Sequence, residues 1–120
     1  MTDVLDGSLS INKIVYDRDV INQRVLELGK KITEDYHGEE VVLIGVIKGA
    51  LYFFSDLTKA IDLPIKIDMI GFGNIPDTTS KTGVVRITKD IDVDITDKHV
   101  IIVEDVIRTG LTTAYLSSCL

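Results

Sequence analysis

The stretch VVLIGVIKGALYFFSDLTKAI, residues 41–61, decides the fold. Its first seven residues form an unbroken apolar run rich in β-branched side chains. That is how a strand buried on both faces reads, as in a parallel sheet. Lys48, Gly49 and Ala50 then break the run. Beyond them Phe53, Phe54, Leu57 and Ile61 recur at helical spacing, so the stretch predicts a strand, a tight turn and a helix packed back on the sheet.

Upstream, DRDVINQRVLELGKKITEDYHG (17–38) sets Ile21, Val25, Leu28 and Ile32 on one helical face, with Asp17 placed to cap its start and Gly38 to follow its end. Downstream, IKIDMI (65–70) alternates in part, the mark of a half-buried strand. GFGNIPDTTSKTG (71–83) reads as a loop full of turn formers, longer than most connections and therefore a candidate functional element. VVRIT (84–88) returns to strand character, and DIDVDI (90–95) is a candidate short strand. HVIIVE (99–104) is a second apolar strand, and residues after Gly110 read as helix up to Leu120. Strands alternating with helices around two apolar central strands predict an α/β domain spanning 1–120, with a mainly parallel sheet flanked by helices. In such sheets ligands gather beyond the carboxyl ends of the strands. VIKGA (46–50) and VEDVIRTG (103–110) both fall at such ends.

The bulk properties narrow the chemistry. With 120 residues, the chain can bury roughly two-thirds of its unfolded surface, enough for one core. No apolar run approaches the ~20 residues needed to cross a bilayer, and the lead MTDVLDGSLS lacks the basic flank and apolar centre of a signal peptide. Cys119 is the single cysteine, so no internal disulfide forms, and a reducing cytoplasm is the expected compartment. The formal charge of −6 argues against nucleic acid or an anionic membrane as partner. An acidic protein that binds a phosphorylated small molecule needs local backbone donors, and usually a divalent cation between its carboxylates and the phosphates.

Such a site is legible at the two strand ends. Glu104 and Asp105 stand side by side where a strand leaves the sheet. Thr109, Gly110, Leu111 and Thr112 follow, offering hydroxyls and free N–H groups at the positive end of a helix dipole. A phosphorylated sugar fits this order, with phosphate on 109–112 and ribose hydroxyls and a metal near the acids. Lys48 and Gly49 form a second anion-capable turn, suited to a ligand carrying phosphate at both ends. Three other patterns fail. GFGNIP has Pro76 where a dinucleotide fingerprint needs its third glycine, and GVIKGA lacks the end of a P-loop. DIDVDI puts Ile95 where a calcium loop needs glycine and Ile101 where it needs glutamate. His37 and His99 are isolated in the sequence.

VIIVEDVIRTGLT (100–112) resembles the phosphoribosyl-pyrophosphate (PRPP) signature of the type I phosphoribosyltransferases, nearest to the hypoxanthine-guanine branch. The stretch 41–61 resembles that branch's first active-site loop and the helix behind it, and the likeness runs from about Ile14 to the C-terminus. The resemblance implies a type I phosphoribosyltransferase-like core and transfer of the phosphoribosyl group from PRPP to a 6-oxopurine, giving a nucleoside monophosphate and pyrophosphate. It implies that Glu104 and Asp105 hold the ribose hydroxyls directly or through Mg²⁺, and that Thr109 to Thr112 cradle the 5′-phosphate. Lys48 and Gly49 would meet the pyrophosphate, and the 71–83 loop, with Phe72 and Gly73, would close over the reacting centre.

Three departures accompany the likeness. Arg108 stands where the family's purine enzymes usually carry an aspartate near the purine N7, and a guanidinium cannot accept a proton at working pH. Arg108 would instead strengthen phosphate binding. Phe72 keeps the ring of a common Ser-Ser-Tyr-Gly segment without its phenol, and Ile70 and Gly71 replace the serines. The family's chain continues past this helix into further strands and a base-reading hood, to which nothing here can be matched. A sheet ending here would leave a strand edge open, and a homo-oligomer is expected. Two readings stand: a Mg²⁺-dependent purine phosphoribosyltransferase, and a PRPP- or nucleotide-binding module or regulator without turnover.

Overall fold

The computed structural model describes residues 12–74, 85–106 and 110–120. The apolar run 41–47 becomes β1 (Val41–Ile47), in which Val41 to Val46 are all buried. It is preceded by α1 (Arg18–Asp35) and followed by α2 (Leu51–Ala60), β2 (Ile65–Asn74), β3 (Val85–Lys89), β4 (His99–Val103) and α3 (Leu111–Cys119). The strand order is β3-β2-β1-β4. β1 pairs in parallel with β2, from Val41 opposite Ile65 to Ile47 opposite Gly71. It also pairs in parallel with β4, from Val41 opposite His99 to Gly45 opposite Val103. β3 runs antiparallel to β2.

Alternation along β1 builds two cores. Val41 and Leu43 face α1 and α2, where they pack with Val25, Phe54, Leu57, Ile61 and Val103. Val42, Ile44 and Val46 face the other way, against Ile70 and Leu116 of α3. Leu43 and Ile44 are both 0% exposed, so adjacent residues of one strand are sealed from opposite sides. A side chain buried to that degree stabilises the fold by about 1.5–3 kcal/mol. Asp17 caps α1 as its sequence predicts, its Oδ1 accepting from Val20 N at 2.9 Å. On the expected apolar face of α1, Val25 is buried and Leu28 and Ile32 are half-buried, whereas Ile21 stays 51% exposed. Gly29 lets α1 approach α2, because a Cβ there would lie 2.5 Å from Ala60 Cβ.

Three expectations change. β4 is an edge strand among the described residues, not a central one. It is apolar because both its faces are covered: Ile101 packs into the α1/α2 core, Val100 and Ile102 into the α3 core. The loop expected from Gly71 begins later, since β2 runs on to Asn74 and pairs with β3 through a register shift at Gly71/Phe72. Gly71 is a strand glycine because a Cβ there would lie 2.9 Å from Thr88 Oγ1 and 3.3 Å from Ile47. Residues 75–83 of that loop lie outside the described residues.

DIDVDI forms no strand. Its Ile91, Val93 and Ile95 do turn inward onto the α3 core, but two of its backbone donors are taken by one side chain of β2 and a third, Ile91 N, by Asp90. Asp68 Oδ2 accepts from Asp92 N at 2.6 Å and Val93 N at 3.0 Å, and Oδ1 accepts from Met69 N at 2.7 Å. Burial would raise this carboxyl, but the three backbone N–H donors and the Lys89 ammonium outweigh it, and its pKa falls from 3.8 to about 2. None of the helices formed by the described residues is long and apolar enough to cross a membrane.

Asp68→Ala removes the acceptor of three backbone donors and is expected to lower stability by about 1–3 kcal/mol at neutral pH, measured by urea unfolding. Because the folded-state pKa lies below the ordinary value, the stabilisation is full above pH 3.8 and lost as pH falls through about 2. The gap between wild type and variant should close over that window.

Candidate active site at the carboxyl ends of β1 and β4

β1 and β4 are parallel neighbours, so their carboxyl ends open onto the same edge of the sheet. After Ile47 the chain turns through Lys48, Gly49 and Ala50, and the Ile47–Lys48 peptide is cis. Ala50 anchors the turn. It is 1% exposed, its N–H donates to Val46 O at 3.3 Å, and its carbonyl accepts from Phe54 N at 2.7 Å. Leu51 N also donates to Lys48 O at 3.1 Å, leaving Lys48 and Gly49 exposed at the crest.

Beside this turn β4 ends at Val103, and the two acids leave the sheet. Asp105 is exposed, and its Oδ1 accepts from Val106 N at 2.8 Å, which ties the carboxylate to its own loop. Its other oxygen lies directly against Gly49, at the place a Cβ on Gly49 would occupy. The sequence-separated pair Gly49 and Asp105 is therefore one contact. Glu104 is half-buried, and its Oε1 accepts from Asp105 N at 3.3 Å. Burial pushes the Glu104 carboxyl above its ordinary range, and the neighbouring Asp105 carboxyl adds to the rise. A cation placed against both would reverse that balance.

Gly110 opens α3 with φ of 79°, in the left-handed region, and its carbonyl accepts from Ala114 N at 2.8 Å. Arg108 and Thr109 lie outside the described residues, as do the side chains of Leu111 and Thr112. Phe72 and Gly73, expected on the closing loop, lie on β2. The Phe72 ring meets the Tyr115 ring of α3 edge-on, with centroids 6.3 Å apart. Its position on the α3 side of the sheet follows from the alternation that also buries Ile70.

One neighbour of the site has no sequence signal. A groove of about 510 Å³ runs from Asp105 along α1 and α2, lined by Tyr16, Val20, Ile21, Arg24, Leu28 and Phe53 among others. A smaller one, about 230 Å³, brings Glu104 beside Leu28, Ile32, Phe53 and the edge of β4. Tyr16, Val20 and Arg24 look like ordinary surface residues at the start of a helix; only the fold sets them beside Asp105.

The donor set suits a hard cation in one way only. Among the described residues no three His, Cys, Asp or Glu side chains converge into a protein-only metal cage. Two adjacent carboxylates are what Mg²⁺ takes from a protein when phosphate oxygens and water complete its octahedron.

Residues 12–117 match the phosphoribosyl transferase domain, and the chain belongs to that family. Within it, the chain is 40% identical over 113 residues to the hypoxanthine-guanine phosphoribosyltransferase of Mycobacterium tuberculosis, covering 89% of this chain and 56% of that protein. It is 39% identical over 107 residues to the enzyme of the same name from Streptococcus mutans, covering 89% and 59%. Among solved structures, a hypoxanthine-guanine phosphoribosyltransferase from Bacillus anthracis superposes with a TM-score of 0.85 at 39% identity, covering 92% of this chain and 66% of that one. A hypoxanthine phosphoribosyltransferase from Staphylococcus aureus gives 0.84 at 34% identity, covering 92% and 60%. The chain thus spans 56–59% of the length of these curated relatives.

Gly110→Ala forces an L-residue into the left-handed region and is expected to cost about 1–2 kcal/mol. Because nothing among the described residues lies within 4 Å of the added Cβ, the loss should appear as a lowered melting temperature without repacking of the core. Unchanged stability would mean that α3 starts elsewhere.

Proposed function

We propose that this chain carries the PRPP-handling part of a hypoxanthine-guanine phosphoribosyltransferase. The observation that carries the reading is the contact between Asp105 and Gly49, which joins the two strand-end loops in a chain about 40% identical to enzymes of that name. In this reading Glu104 and Asp105 receive the ribose hydroxyls, Thr109 to Thr112 the 5′-phosphate, and Lys48 with the backbone at Gly49 the pyrophosphate. Mg²⁺ held between the two acids and the substrate's oxygens would neutralise charge on the departing pyrophosphate.

The reaction is a displacement at the anomeric carbon. A purine ring nitrogen forms the new C–N bond, the C–O bond to pyrophosphate breaks, and the purine's N–H proton is released. Holding sugar and base in line supplies much of the acceleration in reactions of this kind. A cytoplasmic compartment and assembly into a homo-oligomer belong to the same proposal. Supporting the latter are the free edge of β4 among the described residues and Ile14, Val15 and Tyr16, each 67–69% exposed.

A second reading rests on Arg108. Where an acid would handle the purine proton, arginine cannot accept one, and a PRPP-binding module without turnover follows from that substitution. Pyrophosphate release from PRPP and Mg²⁺ separates the two. Release that depends on hypoxanthine or guanine supports the enzyme; PRPP binding without release supports the module. Arg108→Asp is expected to raise turnover, by up to about 10²–10⁴-fold if proton transfer limits the rate. No gain in the presence of base-dependent release would remove Arg108 from the rate-limiting step.

A further inference from the structure

The two strand-end loops each contain a glycine, and the two are needed for opposite reasons. Gly110 has a backbone that L-residues rarely adopt, and no atom of the described residues stands where its Cβ would be. Gly49 is the reverse. It is not among the left-handed glycines of the described residues, Gly38 and Gly110, so no positive φ calls for glycine there. What it lacks is room. An ideal Cβ on Gly49 would overlap Asp105 Oδ2 and lie 2.8 Å from Asp105 Cγ. All three of its nearest neighbours are atoms of that one carboxylate.

Relieving the overlap means moving one side or the other. The Asp105 carboxylate is exposed but accepts from Val106 N at 2.8 Å, so moving it off Gly49 disturbs that bond. On the other side, the turn is pinned through Ala50, buried to 1% exposure and hydrogen-bonded to Val46 O and Phe54 N. The exposed crest is thus set by buried anchors on one loop and by a local hydrogen bond on the other, and the carboxylate fits in the space where the side chain is missing.

We propose that Gly49 is a positioning residue for Asp105: its missing side chain is the seat of the carboxylate, so the β1–α2 and β4–α3 loops hold their two parts of the ligand at one fixed spacing. This rests on the reading of the site as a Mg²⁺-PRPP site, and it is separate from any contact between the Gly49 backbone and pyrophosphate. A contact of that kind survives Gly49→Ala; the seat does not.

The test is a double-mutant cycle on the full chain, with Gly49→Ala, Asp105→Ala and the double variant, read by calorimetry with PRPP and Mg²⁺ and by the crystal structure of Gly49→Ala. Gly49→Ala alone should weaken binding at least tenfold and displace the Asp105 carboxylate by more than 1 Å, as the ordinary separation of a carbon and an oxygen in contact requires. Added to Asp105→Ala, it should change affinity by less than about twofold, because the group it displaces is gone. An equal loss in both backgrounds, or a carboxylate that stays in place, would overturn the proposal. If Gly49→Ala fails to fold, recovery of the fold in the double variant supports the collision, and its absence contradicts it. If the wild-type chain binds no PRPP, the functional reading fails while the carboxylate's position in the Gly49→Ala crystal still decides whether Gly49 seats it.

Discussion

Parallel pairing of β1 with a neighbour on each side is the constraint on which the rest depends. With Leu43 sealed by α1 and α2 and Ile44 by α3, a slip of one residue would turn each core face to the wrong layer, so the register is held. Parallel neighbours also put their carboxyl ends on one edge, and Gly45 opposite Val103 sets the exit of β4 level with the last residues of β1. A lysine-glycine turn and an acid pair more than fifty residues apart thereby become adjacent. The Asp105–Gly49 contact is a consequence of that register.

The strong periodicities were readable in the sequence and the weak ones were not. Residues 41–47 and 51–61 could be assigned because a two-sided apolar run and a helical stripe leave no competing pattern. Asp17 as the cap of α1 was legible for the same local reason. The extension of β2 to Asn74 was hidden by Gly71 and Gly73, which signal a turn in a sequence but here accommodate Thr88 of β3. DIDVDI misled in the opposite sense. Its alternation is real, yet the N–H groups of Asp92 and Val93 go to Asp68, a residue of another element that no local pattern can reveal.

The candidate site divides in the same way. Its acids and glycines could be picked out because they interrupt apolar strands at their ends. The order of the acids about the site could not, nor could the groove that Tyr16, Arg24 and Phe53 form beside Asp105. The raised Glu104 carboxyl is likewise a product of folding, since half-burial beside a second acid is what disfavours its charge. Two crowded carboxyls with one partly buried are a poor arrangement for an empty surface and a good one for a divalent cation shared with a phosphorylated sugar. In the proposed reading, Arg108 is the residue on which binding and turnover would part company, because a guanidinium favours an anion and cannot take a proton.

Calorimetric titration of PRPP into the full chain, with and without Mg²⁺, tests the central claim most directly. The expected result is saturable one-to-one binding that weakens strongly when Mg²⁺ is withdrawn, because the acid pair then faces the ligand's oxygens with no cation between them. Binding of equal strength with and without the metal would contradict the role given to Glu104 and Asp105. No binding in either case would contradict the site itself.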